Sequence, residues 1–125
     1  MREIKFRRAF FKDEDKKQFS HFGEWGVNLK DGITFVSPSS NNYAPYFIDH
    51  QYTGLKDKTG CEICEGDILK GYGSAIKRFV VSFSEGSFVL YHNFGRWGLL
   101  SRMFEIEELP VEVIGNIYEN PELCQ

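Results

Sequence analysis

Apolar and polar residues alternate in short runs along this chain, and glycine, proline or charged clusters close most of the runs. A period of two is the mark of a strand, because successive side chains point to opposite faces of a sheet. Residues 3–11, EIKFRRAFF, start the pattern, with Ile4 and Phe6 alternating with Lys5 and Arg7. The charged run at 12–17 reads as an exposed turn. Residues 19–36, FSHFGEWGVNLKDGITFV, suggest two short strands around Lys30-Asp31-Gly32. An Asp-Gly between apolar runs is a hairpin signal. Residues 37–45, SPSSNNYAP, read as the clearest loop.

The second part of the chain is patterned more strongly. Residues 47–55 are half apolar and enter a turn at 56–60, which residues 61–70 leave. The best pattern follows: RFVVSF, a Ser-Glu-Gly connection, then SFVLYH. Phe79, Val81 and Phe83 are expected on one face of the first strand, and Phe88 and Leu90 on one face of the second. NFGRWG at 93–98 reads as a second glycine-punctuated turn or a wide loop. Residues 99–109 fit two readings. Leu99, Met103 and Ile106 have roughly helical spacing, whereas residues 104–107 alternate. Pro110 stops that segment, and VEVIGNIYE at 111–119 reads as a last strand with Gly115 a candidate bulge. Short strands at close spacing predict a mainly β fold: a small SH3-like barrel in the C-terminal part with an N-terminal β extension. We divide the chain into residues 1–46, a β region ending in the Ser/Asn/Pro loop, and 47–125, the barrel region. A single domain over the whole length is the alternative.

Composition agrees with that class. The chain has 125 residues, 16% of them aromatic, including 12 Phe. That is enough to fill a core at this size. Only three residues are Ala, so strong helix formers are scarce. No run of 18 apolar residues exists, and the N-terminal stretch MREIKFRRAFFKDEDKK has no apolar signal-peptide core. A cytoplasmic location without membrane contact is expected. The three cysteines, Cys61, Cys64 and Cys124, do not suggest a disulfide framework in such a protein.

Net charge is −3, but it is unevenly spread. Residues 1–17 hold seven Lys/Arg and four Asp/Glu, whereas residues 105–125 hold six Glu and no Lys/Arg. This polarity permits head-to-tail contact or a self-neutralising fold. It does not give the basic domain that DNA binding usually needs.

Five stretches could carry chemistry. Cys61 and Cys64 form a CxxC, but zinc wants four ligands, and His21, His50 and His92 stand at no ligand spacing. A redox CxxC would open a helix in a βαβ unit, which this context does not offer. Asp57 and Gly60 lack the ligand series of a calcium loop and read as a turn, with Asp57 bonding its own backbone and Gly60 left-handed. Glu65-Gly66-Asp67 brings two carboxylates together, but Gly66 invites a bulge and no histidine is near in sequence. We read Asp67 as capping a turn there. Gly71-Tyr72-Gly73 lacks the spacing of a phosphate loop. Tyr91, His92, Phe94, Arg96 and Trp97 mix rings with one guanidinium, a composition frequent at interface hot spots and one able to stack on bases. The competing reading is that Phe94 and Trp97 close the bottom of the barrel.

Three segments, REIKFRRAF near the start, QYTGLKDKTGCEICEGDIL at 51–69 and VIGNIYENPEL near the end, resemble the YopX-like family of phage and prophage proteins. The family pattern has a polar residue where Cys61 stands and Tyr or an apolar residue where Cys64 stands, which weakens the case for a CxxC site. It has Trp where this chain has Phe10. The resemblance implies a mainly β fold with a small barrel in the C-terminal part, and a bacterial host cytoplasm. It supplies no activity, no cofactor and no catalytic residue to carry over. We therefore expect a non-catalytic phage or prophage accessory protein that acts on a host or phage protein, with self-association an option. The alternatives are a nucleic-acid-binding small barrel and an inhibitor or nucleotide-sequestering protein directed against host defence.

Overall fold

Alternating strands separated by polar turns are what the chain builds. The computed structural model describes residues 3–28, 33–36, 44–71, 77–92, 95–100 and 111–124. The fold is mainly β. In chain order the strands are β1 (Glu3–Phe11), β2 (Phe19–Asn28), β3 (Ile33–Val36), β4 (Tyr46–Lys56), β5 (Glu62–Cys64), β6 (Asp67–Gly71), β7 (Lys77–Ser84), β8 (Ser87–His92), β9 (Gly95–Leu99) and β10 (Val111–Asn116). A short 3-10 turn, Pro121–Cys124, follows. They form two sheets, ordered β3-β2-β1-β4-β5 and β10-β6-β7-β8-β9. The chain divides into two compact units, Met1–Tyr52 and Thr53–Gln125, and β4 runs through the border between them.

In the first unit β1 pairs antiparallel with β2 on one side and β4 on the other. The charged turn between β1 and β2 is organised by Asp13. Its carboxylate accepts hydrogen bonds from the amides of Lys17 (3.0 Å) and Gln18 (2.8 Å), and Lys16 takes a left-handed φ of 57°. β2 and β3 pair antiparallel from Trp25↔Val36 to Asn28↔Ile33, so the two strands expected around Lys30-Asp31-Gly32 are present. Those three residues and most of the Ser/Asn/Pro segment, 37–43, lie outside the described residues.

The second unit is an antiparallel sheet over one core. Ile63, Leu69, Phe79, Val81, Leu90, Leu100 and Val111 are buried together, with Leu55, Phe88 and Val113 packed against them. Each such side chain contributes roughly 1.5–3 kcal/mol on burial. The β7–β8 hairpin is the one its sequence predicts, and Glu85 and Gly86 both have positive φ, 52° and 81°. That is the turn whose twist suits a two-residue hairpin. Phe79, Val81 and Phe83 alternate along β7, and Phe88 and Leu90 along β8, as expected, and burial adds two details. Phe83 reaches the hairpin tip, where it is 47% exposed and packs edge-on against Phe88 at 5.1 Å. Val89 and Leu90 are consecutive yet both fully buried, so β8 is covered on both faces at that point.

Two further segments can be compared with expectation. β10 bulges between Val113 and Gly115, as the glycine suggests. The segment 93–98 requires a correction. It is not a wide loop: residues 95–99 form β9, paired antiparallel with β8. Hydrogen bonding to the neighbouring strand outweighs the turn tendency of its glycines. Leu99 ends β9, and residues 101–109, whose helix or strand character the sequence left open, lie outside the described residues.

Candidate functional site

Four of the five residues singled out as an interaction surface, Tyr91, His92, Arg96 and Trp97, fall on the paired strands β8 and β9 of the second unit. Tyr91 lies on β8, half-buried, opposite Arg96 of β9, and His92 lies opposite Gly95. Trp97 belongs to β9. The register shifts between Leu90 and Tyr91, a local irregularity of the kind that re-aims side chains. Phe94 lies outside the described residues.

Asp57, Gly60, Gly66 and Asp67 lie in the joint between β4, β5, β6 and β10. The Asp57 Oδ1 accepts from the Thr59 amide (2.9 Å), the Thr59 hydroxyl (2.7 Å) and the Cys61 amide (2.9 Å). Its Oδ2 accepts from the Val113 amide (2.9 Å), 56 residues away. Burial pushes the Asp57 carboxyl up. The bonds from Thr59, Val113 and Cys61 outweigh it and hold the group below its ordinary value. Gly60 and Gly66 have φ of 90° and 92°, where a side chain would be strained. The buried Asp67 accepts from the Cys64 amide at 2.8 Å, closing the turn over Glu65 and Gly66. Gly66 ties this turn outward: its amide donates to the Val81 carbonyl (2.8 Å) and its carbonyl accepts from the Ile117 amide (2.9 Å).

The C-terminal motif VIGNIYENPEL meets the same joint. Asn116 pairs with Asp67 across β10 and β6. The Asn116 carbonyl oxygen Oδ1 accepts from the amides of Tyr118 (3.0 Å) and Glu119 (2.9 Å), which turns the chain after β10. Gly115 leaves room for Asn120, whose Cγ would lie 2.6 Å from a Cβ at that position. The two most distinctive motifs of the chain are thus halves of one structural joint. Cys61 is exposed and Cys64 buried, so the CxxC does not present two thiols to one point. Among the described residues no group of three or more His, Cys, Asp and Glu could hold a metal ion.

A constellation that sequence reading missed lies in the first unit. Arg8 of β1 stands opposite Asp49 of β4 and opposite Gly23 of β2, which contributes no side chain. Arg8 holds Asp49 with both ends of its fork: Nε to Oδ1 at 2.8 Å and Nη2 to Oδ2 at 3.1 Å. The Trp25 indole N–H donates to the same Oδ1 at 3.0 Å. The guanidinium lies 3.9 Å from the centre of the Phe47 ring and 5.6 Å from that of Trp25, within cation–π range. Phe6 stacks on Trp25 at 4.5 Å, and Phe10 stacks on His21 at 4.7 Å. Phe47 stays 43% exposed. Burial pushes the Asp49 carboxyl up, while Arg8 and Trp25 outweigh it and hold it below the ordinary carboxylate value.

The opposite face of β1 follows the same rule of charge against ring. Arg7 sits 4.3 Å from the Phe22 ring centre and Lys5 4.7 Å from that of Tyr52. Glu24 links the latter pair, with Lys5 Nζ at 3.5 Å and the Tyr52 hydroxyl donating at 2.8 Å. The only hint in the sequence was charge between aromatics in β1. Which acid each cation would meet depends on partners up to 41 residues away.

These features define a two-unit, mainly β protein whose distinctive motifs serve its architecture. The chain belongs to the YopX family, whose model matches residues 7–125. It is similar to protein EF1440 from Enterococcus faecalis, known from a crystal structure: 26% identity over 98% of each chain, with a TM-score of 0.57. No curated protein matches it. No helix among the described residues is long and apolar enough to cross a membrane.

Proposed function

We propose that this protein is a non-catalytic accessory protein of the phage or prophage kind, working in the bacterial host cytoplasm by binding a host or phage protein. The observation that carries this reading is the Arg8 fork, held by Asp49 between the rings of Phe47 and Trp25. Arg and Trp dominate interface hot spots, and a guanidinium already fixed by its own partners loses little freedom on binding. The half-exposed Phe47 offers the ring on which contact would begin. Lys5 and Arg8, two of the cations in the basic N-terminal stretch, already face Glu24 and Asp49. That favours a protein partner over a phosphate backbone, which needs cations free to replace counterions. For the second unit we propose a small SH3-like barrel, supported by five antiparallel strands over a shared core.

The test is site-specific photo-crosslinking in host cells, with the reactive residue placed at Phe47 or, as a control, at the equally exposed Phe83. A discrete protein adduct is expected from position 47 and not from 83, weakened by Arg8→Lys, which keeps the charge but loses the fork. No adduct at 47, or equal adducts at both positions, would sink the reading. An adduct removed by nuclease would favour the nucleic-acid alternative.

A further inference from the structure

β10 stands at the end of its sheet in the described strand order. An edge strand leaves a row of backbone donors and acceptors open to another chain. β10 is also a good template for pairing, with Val111, Val113 and Ile114 in six residues. Two of its outward backbone groups are nonetheless occupied. The Lys58 amide donates to the Val111 carbonyl at 3.0 Å, and the Val113 amide donates to the Asp57 Oδ2 at 2.9 Å. A neighbouring strand would supply this same pair of contacts, one donor for residue 111 and one acceptor for residue 113. Here the acceptor is a carboxylate oxygen in the place of a backbone carbonyl. The other oxygen of that carboxylate is fixed by Thr59 and Cys61, so the clasp is held from behind. Lys58 adds a contact beside it, with Nζ 3.8 Å from Glu112.

We infer that the turn carrying Asp57 is an edge clasp: it occupies the free side of β10 and so prevents β10 from pairing with the same strand of a second copy of this chain. The turn thus does more than reverse the chain. Asp57 imitates a strand where the described strand order has none, and the latent surface beneath it is a self-pairing edge.

The first test is in the parent protein. Hydrogen exchange should show the Lys58 and Val113 amides protected, and exchange of either at the rate of an open amide would overturn the clasp. The second test is Asp57→Asn, which can keep the Oδ1 acceptor but puts an amide where Oδ2 received the Val113 N–H. Exchange at Val113 should then speed up about ten- to a hundredfold, the range a charge-assisted hydrogen bond commands. Light scattering over a concentration series should find the variant forming dimers where the parent does not. Thr59→Val is the control. It removes one bond to Oδ1 but leaves the clasp, so it should keep the parent's mass. A folded Asp57→Asn with the parent's mass at every concentration would overturn the inference. So would a Thr59→Val that dimerises equally. If Asp57→Asn does not fold, the parent's two amides decide the matter.

Discussion

Asp57 accepts four hydrogen bonds on one carboxylate, three from its own turn and one from β10. Hydrogen bonds to a charged group contribute roughly 1.5–3 kcal/mol each when well formed, with strong non-additivity. Because its folded pKa lies below the unfolded value of about 3.9, the stabilisation is fully present above that pH. It is lost as pH falls through the lower folded value. Asp57→Asn should therefore cost about 1–3 kcal/mol at neutral pH, and the gap to the parent should close on acidification. Urea unfolding of dilute protein at a series of pH values reads this directly. A gap that stays constant into acid would mean that the charge of Asp57 does not matter. Asp49 and Asp13 are also held low, but both are present in parent and variant and cancel in the difference.

At the scale of elements, the turn after β10 depends on space as well as hydrogen bonds. A methyl group at residue 115 would collide with the Asn120 side chain, which also accepts from the Asn116 amide at 3.2 Å. Gly115→Ala should destabilise the protein by about 1–3 kcal/mol through overpacking, and Asn120→Gly in the same chain should recover part of that loss. Thermal unfolding of the two single variants and the double variant measures the coupling. Strictly additive effects would reject the steric account. The glycine was readable in the sequence as a bulge, but the strand expected over 111–119 ends at Asn116, where the asparagine side chain turns the chain. The collision was not readable, because it pairs residues on either side of a reversal. β9 was misread for a related reason. Its glycines resemble those of a loop when taken alone, and only the ladder with β8 makes the segment extended.

At the scale of the molecule, the split of charge between the ends poses a question of assembly. The first 17 residues carry a formal +3 and the last 21 a formal −6. If copies met head to tail through these ends, their mass would fall as salt screens the attraction. Lys5 and Arg8 already face acids within the first unit, and the clasp covers β10. Light scattering after size exclusion should therefore give one mass at low and high salt. A salt-sensitive oligomer would instead place the function at an assembled surface.

The β class, the hairpin around Glu85-Gly86, the exposed turn after β1, the reversal near Gly60 and the resemblance to a family could all be read along the chain. The hairpin and the two turns rest on residues within a few positions of one another, where alternation and glycine act directly on backbone geometry, whereas the resemblance rests on three segments spread along the chain. Tertiary structure alone decided that Arg8 would find Asp49 and that Asp57 would capture Val113. The first pair is 41 residues apart and the second 56. Such partners are chosen by strand order and register, and a shift of one residue would turn every side chain of a strand to its other face. The composition of the two sites was visible along the chain, but their geometry came into being only when distant strands were laid side by side.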